Sequence, residues 1–338
     1  MKKLYGTTAK GEDVYLHIIE NDAVRIGVLD YGATLVLFEH KGTGTDAVLG
    51  YDDLAGYVNQ QGSCIGASIG RTANRTGKGV FCLNGKTYHL AINNNGNSLH
   101  GGLEGFDKKV FTAEESEQEV IFRRLSPDME EGYPGNLQVE ICYTLLPDGF
   151  EITASGSADQ DTLFAYTNHS YFNLTGKDSV LDHVIEIPSD YYGLSDENGM
   201  MKDQLAEVSG TPFDFRVPKP LGQDIASEHE QIVVANGYDH YYDIEGTGMR
   251  RMAVCRAGGL ELTMESDFPG FHLYSGNFLY GDTGKKGHVY PPRSGVCFEA
   301  EYYPNAINYD SSFTKPIVRA GTVQTNHIRF HLNASREH

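Results

Sequence analysis

A chain of 338 residues, 40% hydrophobic and 22% charged, is long enough for one large core or for two ordinary domains. A formal charge of −19 and a pI near 5.0 exclude a general basic surface for nucleic acid or anionic lipid, and no run of Lys or Arg supplies one locally. Five scattered cysteines (Cys64, Cys82, Cys142, Cys255, Cys297) show no zinc-site spacing, Met1 to Gly6 lacks a signal peptide, and no stretch approaches the roughly 18 apolar residues of a membrane span. A reduced, soluble, cytoplasmic chain is therefore expected.

Strand signals dominate along the chain. Val24, Ile26 and Val28 alternate with Arg25 and Gly27, and Thr34 to Phe38 is a compact apolar run after Gly32. A short helix is predicted near Asp53 to Gln60. The clearest hairpin alternates from Leu137 to Leu145, turns at Pro147-Asp148-Gly149 and returns through Phe150, Ile152 and Ala154. Ser195 to Gly210 is polar and aperiodic and reads as a long surface excursion, and a second short helix is predicted around Pro218 to Ile225. Leu260, Leu262 and Met264 alternate with Glu261 and Thr263, as do Ile328, Phe330 and Leu332 with Arg329 and His331. With 39 glycines, frequent turns and no linker or repeat, the expectation is all-β: one antiparallel sandwich or barrel over residues 1–338.

Polar clusters interrupt this pattern. In Gly295 to Asn308, alternation directs Val296, Phe298 and Ala300 to one face and Cys297, Glu299 and Glu301 to the other. Glu299 stands where an apolar run stops. It is either a partly desolvated carboxylate at a cleft, with its pKa raised towards proton-transfer range, or an ordinary surface glutamate. Gly66 to Arg75 brings small residues up to Arg71, whose guanidinium would grip substrate oxygens or pair with a structural carboxylate; Asn74 and Arg75 follow. Asn93 to Gly102 reads as a tight loop presenting His100, which is either solvated or functional. Asn168 to Leu174 carries hydrogen-bonding groups on both faces of a strand, with His169, Tyr171 and Asn173 together. A ligand-facing strand or a buried polar network would explain them. Asn236 to Tyr242 combines Asp239, an acceptor for hydroxyl groups, with aromatic rings that suit a sugar. His100, His169 and Glu299 have the residue types of a facial metal set, but none of the close spacings that mark one, and no metal is expected.

Taken in order, these pieces resemble the aldose 1-epimerase (galactose mutarotase) family. The matching segments are Gly70 to Arg75, Asn97 to Gly102, Glu131 to Gly135, Asn168 to Leu174, Thr211 to Arg216, Tyr238 to His240 and Phe298 to Ala300. The resemblance implies a large antiparallel β-supersandwich with few short helices and an open cleft. It also implies interconversion of the α and β anomers of a free aldose, a hexose or pentose such as galactose or glucose. On that resemblance Glu299 is the base at the C1 hydroxyl, His169 the acid at the ring oxygen and His100 a second active-site histidine. Arg71, Asp239, Asn74 and Phe278 bind the substrate. Opening a hemiacetal ring needs an acid and a base but neither electron carrier nor metal, so no cofactor is expected; partners are limited to the monosaccharide. The chain departs from the family pattern at Glu301, where Gln is usual, at Phe111, where Trp is common, and through Ser195 to Gly210.

Two other functions compete on the residues. A carbohydrate-binding module would keep Arg71, Asp239 and the aromatics without needing both His169 and Glu299. A glycoside hydrolase would need a second acid facing Glu299 across the bond, whereas Glu301 lies on the same strand.

Overall fold

Residues 1–60, 62–310 and 312–335 are described by a computed structural model. Among them the chain is built on two β layers. One layer is a nine-stranded antiparallel sheet in which the hairpin Leu137–Leu146/Gly149–Ala158 pairs with the long C-terminal strand Val323–Ala334, followed by Leu260–Ser266 and Arg250–Ala257. The other layer joins two sheets. Five N-terminal strands, from Lys2–Thr7 to Thr45–Asp46, run in sequence order. A six-stranded sheet, ordered Tyr171–Phe172, Val296–Glu301, Gly270–Tyr274, Asp239–Asp243, Tyr191–Ser195 and Met201–Glu207, continues the layer through an antiparallel bridge between Val48 and Phe172.

Period-two alternation supplies the core. Phe38 of the N-terminal sheet meets Phe150 at 4.8 Å between ring centroids, and Phe172 of the six-stranded sheet meets Phe330 at the same separation. A single cluster of buried side chains runs from Ile19 to Leu332 and draws on all three sheets. Within Val296–Glu301, Val296, Phe298 and Ala300 enter this cluster, as the alternation predicts. Antiparallel sheets with one face on such a core leave the alternate residues for the opposite face.

Two expectations about local structure are corrected. Pro218 to Ile225 is not helical: Lys219–Pro220 is a short strand paired with Val184 and Ile185. Pro218 and Pro220 have no amide hydrogen to give a helical ladder. The second helix among the described residues is instead Glu230–Ala235, capped by the His229 side chain and ended by Asn236 in the left-handed region. The first, Leu54–Asn59, is capped by Asp53 within the predicted span. Ser195 to Gly210 is largely a hairpin, with Tyr191–Ser195 paired to Met201–Glu207. Its return strand lies at the sheet edge with Lys202, Asp203 and Gln204 exposed, so no apolar alternation marks it.

Candidate active site

The outer face of the six-stranded sheet is the floor of a cleft of about 460 Å³, within the usual range for small-molecule sites. Because Phe271 and Leu273 point into the core, His272 and Tyr274 point out. The same alternation turns out Asp239 and Glu299, and His272 pairs directly with Glu299 across neighbouring strands. The walls come from the segments around Ser63 to Arg75 and Asn93 to Lys108. They are pressed together: Gly101 has φ +84°, and a Cβ there would lie 2.0 Å from the Gly70 carbonyl oxygen.

His169, just before Tyr171–Phe172, brings its Nε2 to 3.6 Å from Glu299 Oε1. Its ring packs against Tyr171 at 5.1 Å and edge-on to His100 at 5.3 Å, and its Nδ1 lies 3.7 Å from the Cys297 thiol. Glu299 is only 2% exposed, and its Oε2 has no hydrogen-bond partner among the described residues. Burial, then the neighbouring Glu301 and Asp239 carboxylates, push Glu299 well above the usual carboxylate range. Burial holds His169 down at about 4. Each of the two desolvated groups is thus driven towards its neutral form.

His100 adopts φ +52° and Asn74 φ +55°. Their backbones interlock: His100 N–H donates to the Asn74 carbonyl at 3.1 Å, and Asn74 N–H donates to His100 Nδ1 at 3.2 Å. Burial lowers the His100 pKa well below its usual value. Beyond this pair, His272 Nε2 is 2.6 Å from Asp239 Oδ1. Burial alone would raise Asp239, but the hydrogen bond from His272 and the positive charge of Arg75 outweigh it and hold the carboxyl far below its usual range. The Asn74 amide nitrogen reaches His272 Nδ1 at 3.2 Å and Glu301 Oε1 at 3.1 Å, while its oxygen accepts from Arg75 N–H at 2.8 Å. Glu301 is 1% exposed, and burial pushes its pKa up to about 8.

The structure thus gathers His100, His169, Asp239, Asn74, Phe278 and Glu299 around one cleft. Arg71 is a correction. It is 2% exposed, and its guanidinium donates to the backbone carbonyls of Ser126, Pro127, Pro134 and Gly135 and to the hydroxyls of Ser126 and Thr162. Its fork is filled by protein oxygens away from the cleft, so it braces a wall. The cleft arginine is Arg75, held by Asn94 through its Nε at 3.0 Å. The sequence reading missed Arg75 although it follows Asn74 directly. It also missed His272, which the apolar Phe271 and Leu273 on either side would have flagged as outward-facing. Phe278 and Tyr280 stand at the rim, 48% and 67% exposed.

His100, His169 and Glu299 bring ligand atoms within 4.8 Å of one another. Those distances suit a cation, but the proton placement does not. Since Asn74 N–H already occupies His100 Nδ1, the neutral ring carries its hydrogen on Nε2 and offers no lone pair there. The trio is arranged for proton transfer and hydrogen bonding.

Comparison with known proteins agrees with this geometry. Residues 15–331 match the family model described as aldose 1-epimerase. The chain is 42% identical over 301 residues to a galactose mutarotase of Bos taurus, covering 86% of each, and 41% identical over 314 residues to that of Homo sapiens, covering 90% of this chain and 89% of the relative. Among solved structures, galactose 1-epimerase from Lactobacillus acidophilus NCFM superposes with a TM-score of 0.88 at 26% identity, covering 99% of each chain. With a matched family model over nearly its whole length and a cleft that pairs a buried carboxyl with an imidazole, this chain belongs to the aldose 1-epimerase family.

Proposed function

We propose that the chain interconverts the α and β anomers of a free aldose, galactose and glucose among them, with Glu299 and His169 moving the protons. The observation that carries this reading is the 3.6 Å approach of His169 Nε2 to Glu299 Oε1 inside a sugar-sized cleft. Transfer of the Glu299 carboxyl proton to the imidazole creates a carboxylate beside an imidazolium. Glu299 then takes the hydrogen of the C1 hydroxyl while His169 Nε2 gives its own to the ring oxygen. The C1 hydroxyl oxygen becomes the aldehyde carbonyl, the bond from C1 to the ring oxygen breaks, and its electron pair stays on that oxygen with the new hydrogen. Rotation about C1–C2 presents the other carbonyl face, and reclosure returns both protons. Arg75, whose charge favours the ionised forms of Glu299 and Asp239, supports the charged state. His100 donates to the ring oxygen or a neighbouring hydroxyl, Asp239 accepts from sugar hydroxyls, and Phe278 covers an apolar ring face.

The largest buried cluster draws on all three sheets, which supports reading residues 1–338 as one catalytic domain. No helix among the described residues is long and apolar enough to cross a membrane, and the five cysteines are unpaired, which fits a cytoplasmic setting. Polarimetry on freshly dissolved α-D-galactose and α-D-glucose tests the activity. The enzyme should speed relaxation without altering the final rotation, and an unchanged rate at micromolar protein would overturn the reading.

A further inference from the structure

Proton positions on imidazoles follow from the obligate donors and acceptors around them. A backbone N–H can only donate, so the Asn74 N–H facing His100 Nδ1 at 3.2 Å requires that nitrogen to be bare. The hydrogen of neutral His100 is therefore on Nε2, the edge of the ring left for the cleft. The same logic orients the Asn74 side chain. Arg75 N–H donates to one amide atom at 2.8 Å, which must be the oxygen, and the other is the NH2 group. That group meets two acceptors, Glu301 Oε1 at 3.1 Å and His272 Nδ1 at 3.2 Å, one for each hydrogen. His272 Nδ1 is bare in turn, and its hydrogen sits on Nε2, 2.6 Å from Asp239 Oδ1.

We propose that Asn74 is a positioning residue that assigns the protons of two cleft imidazoles at once, placing one on Nε2 of His100 through its backbone and one on Nε2 of His272 through its amide. Both amide hydrogens are used within the protein, so as a donor the side chain acts through its neighbours, and only a lone pair of the amide oxygen is left towards the cleft. The left-handed φ of +55° makes this double use possible by turning the backbone N–H towards His100 while the side chain lies under His272. Asn is among the few residues that adopt this conformation readily. The result is a cleft whose polarity is set before substrate arrives: His100 can only donate, and one oxygen of Asp239 is occupied so that the other remains to accept. Such preorganisation spares reorientation during the reaction. The inference rests on the reading of this cleft as the epimerase site, but its test does not depend on turnover.

The test is long-range 1H–15N spectroscopy of the histidine rings in the sugar-free enzyme at neutral pH, with His100→Gln and His272→Gln assigning the signals. In the wild type both rings should carry a hydrogen on Nε2 and none on Nδ1. Asn74→Asp keeps the shape, the left-handed backbone and the N–H, but turns the donor beneath His272 into an acceptor. His272 should then carry hydrogens on both nitrogens while His100 stays unchanged, and KM should rise about tenfold with kcat within about threefold. Asn74→Gly, which tolerates the same φ, should leave His272 a mixture of the two neutral forms. A wild-type His272 or His100 protonated on Nδ1, or a His272 signal unmoved in Asn74→Asp, would overturn the proposal. Wild-type polarimetry judges the epimerase reading separately.

Discussion

The Nε2 atom of His169 and the Oε1 atom of Glu299 lie 3.6 Å apart, although one residue precedes an edge strand and the other sits inside its neighbour. Both are buried, and burial drives the carboxyl up and the imidazole down. Before substrate arrives, the cleft thus disfavours the charged form of each.

Removing either member should therefore stop the chemistry more than the binding. Glu299→Gln and His169→Asn are each expected to lower kcat by about 10²- to 10⁴-fold with a much smaller change in KM. Polarimetric progress curves across sugar concentration measure both constants. Near-normal turnover in either variant would remove that residue from the mechanism.

The two arginines of the Gly70 to Arg75 segment should separate cleanly. Arg71→Ala strips the hydrogen bonds from four carbonyls, three of those bonds buried, and a loss of about 3 kcal/mol or more in urea unfolding is expected, with KM unchanged in the folded fraction. Arg75→Ala should leave the unfolding midpoint nearly in place and raise KM. The opposite assignment of effects would return Arg71 to the cleft.

Glu301 gives a pH signature. Its folded pKa of about 8 lies above the unfolded value, so from about pH 4.5 to 8 the folded state holds a proton that the unfolded state has lost. That contribution to stability falls as pH rises through the window and levels off above it. Glu301→Gln, with nothing to titrate, should show a flatter profile and be the more stable protein at pH 8. In activity the two proteins should coincide below about pH 7. Above pH 8 the Glu301 charge raises Glu299 further, and the wild-type alkaline limb should lie higher. Superimposable profiles across the whole range would contradict this electrostatic coupling.

The acid side has the opposite sign. Burial lowers His169 and His183 to about 4, so below the ordinary histidine value near 6.5 the unfolded chain binds protons that the fold refuses. Their contribution to stability should fall as pH drops from 6.5 to 4, opposing that of Glu301 where the two windows overlap. His183 accepts from Leu174 N–H at 3.0 Å through Nε2 and lies outside the cleft lining, so His183→Gln should flatten this decline while leaving KM alone. Thermal melts over pH 4 to 7 measure the slope.

How much of this was legible in the sequence follows from the range of the forces involved. Alternation is a property of a few adjacent residues, which is why the hairpin at Pro147-Asp148 and the two faces of Val296–Glu301 could be read directly. The edge strand Met201–Glu207 escaped because one flank is solvated and its outward residues are polar, so the periodic signal is absent.

The sequence by itself determined an all-β chain, the outward face that carries Glu299, and the order of motifs that matches the aldose 1-epimerases. Only the tertiary structure decided that Arg71 turns into a wall while Arg75 enters the cleft, because the carbonyls that capture Arg71 come from Ser126 to Gly135, far along the chain. It likewise decided that Glu299 and Glu301 are buried and that His272 stands beside Asp239. A residue's spacing fixes its direction, but desolvation and charge pairing depend on what distant segments place opposite it.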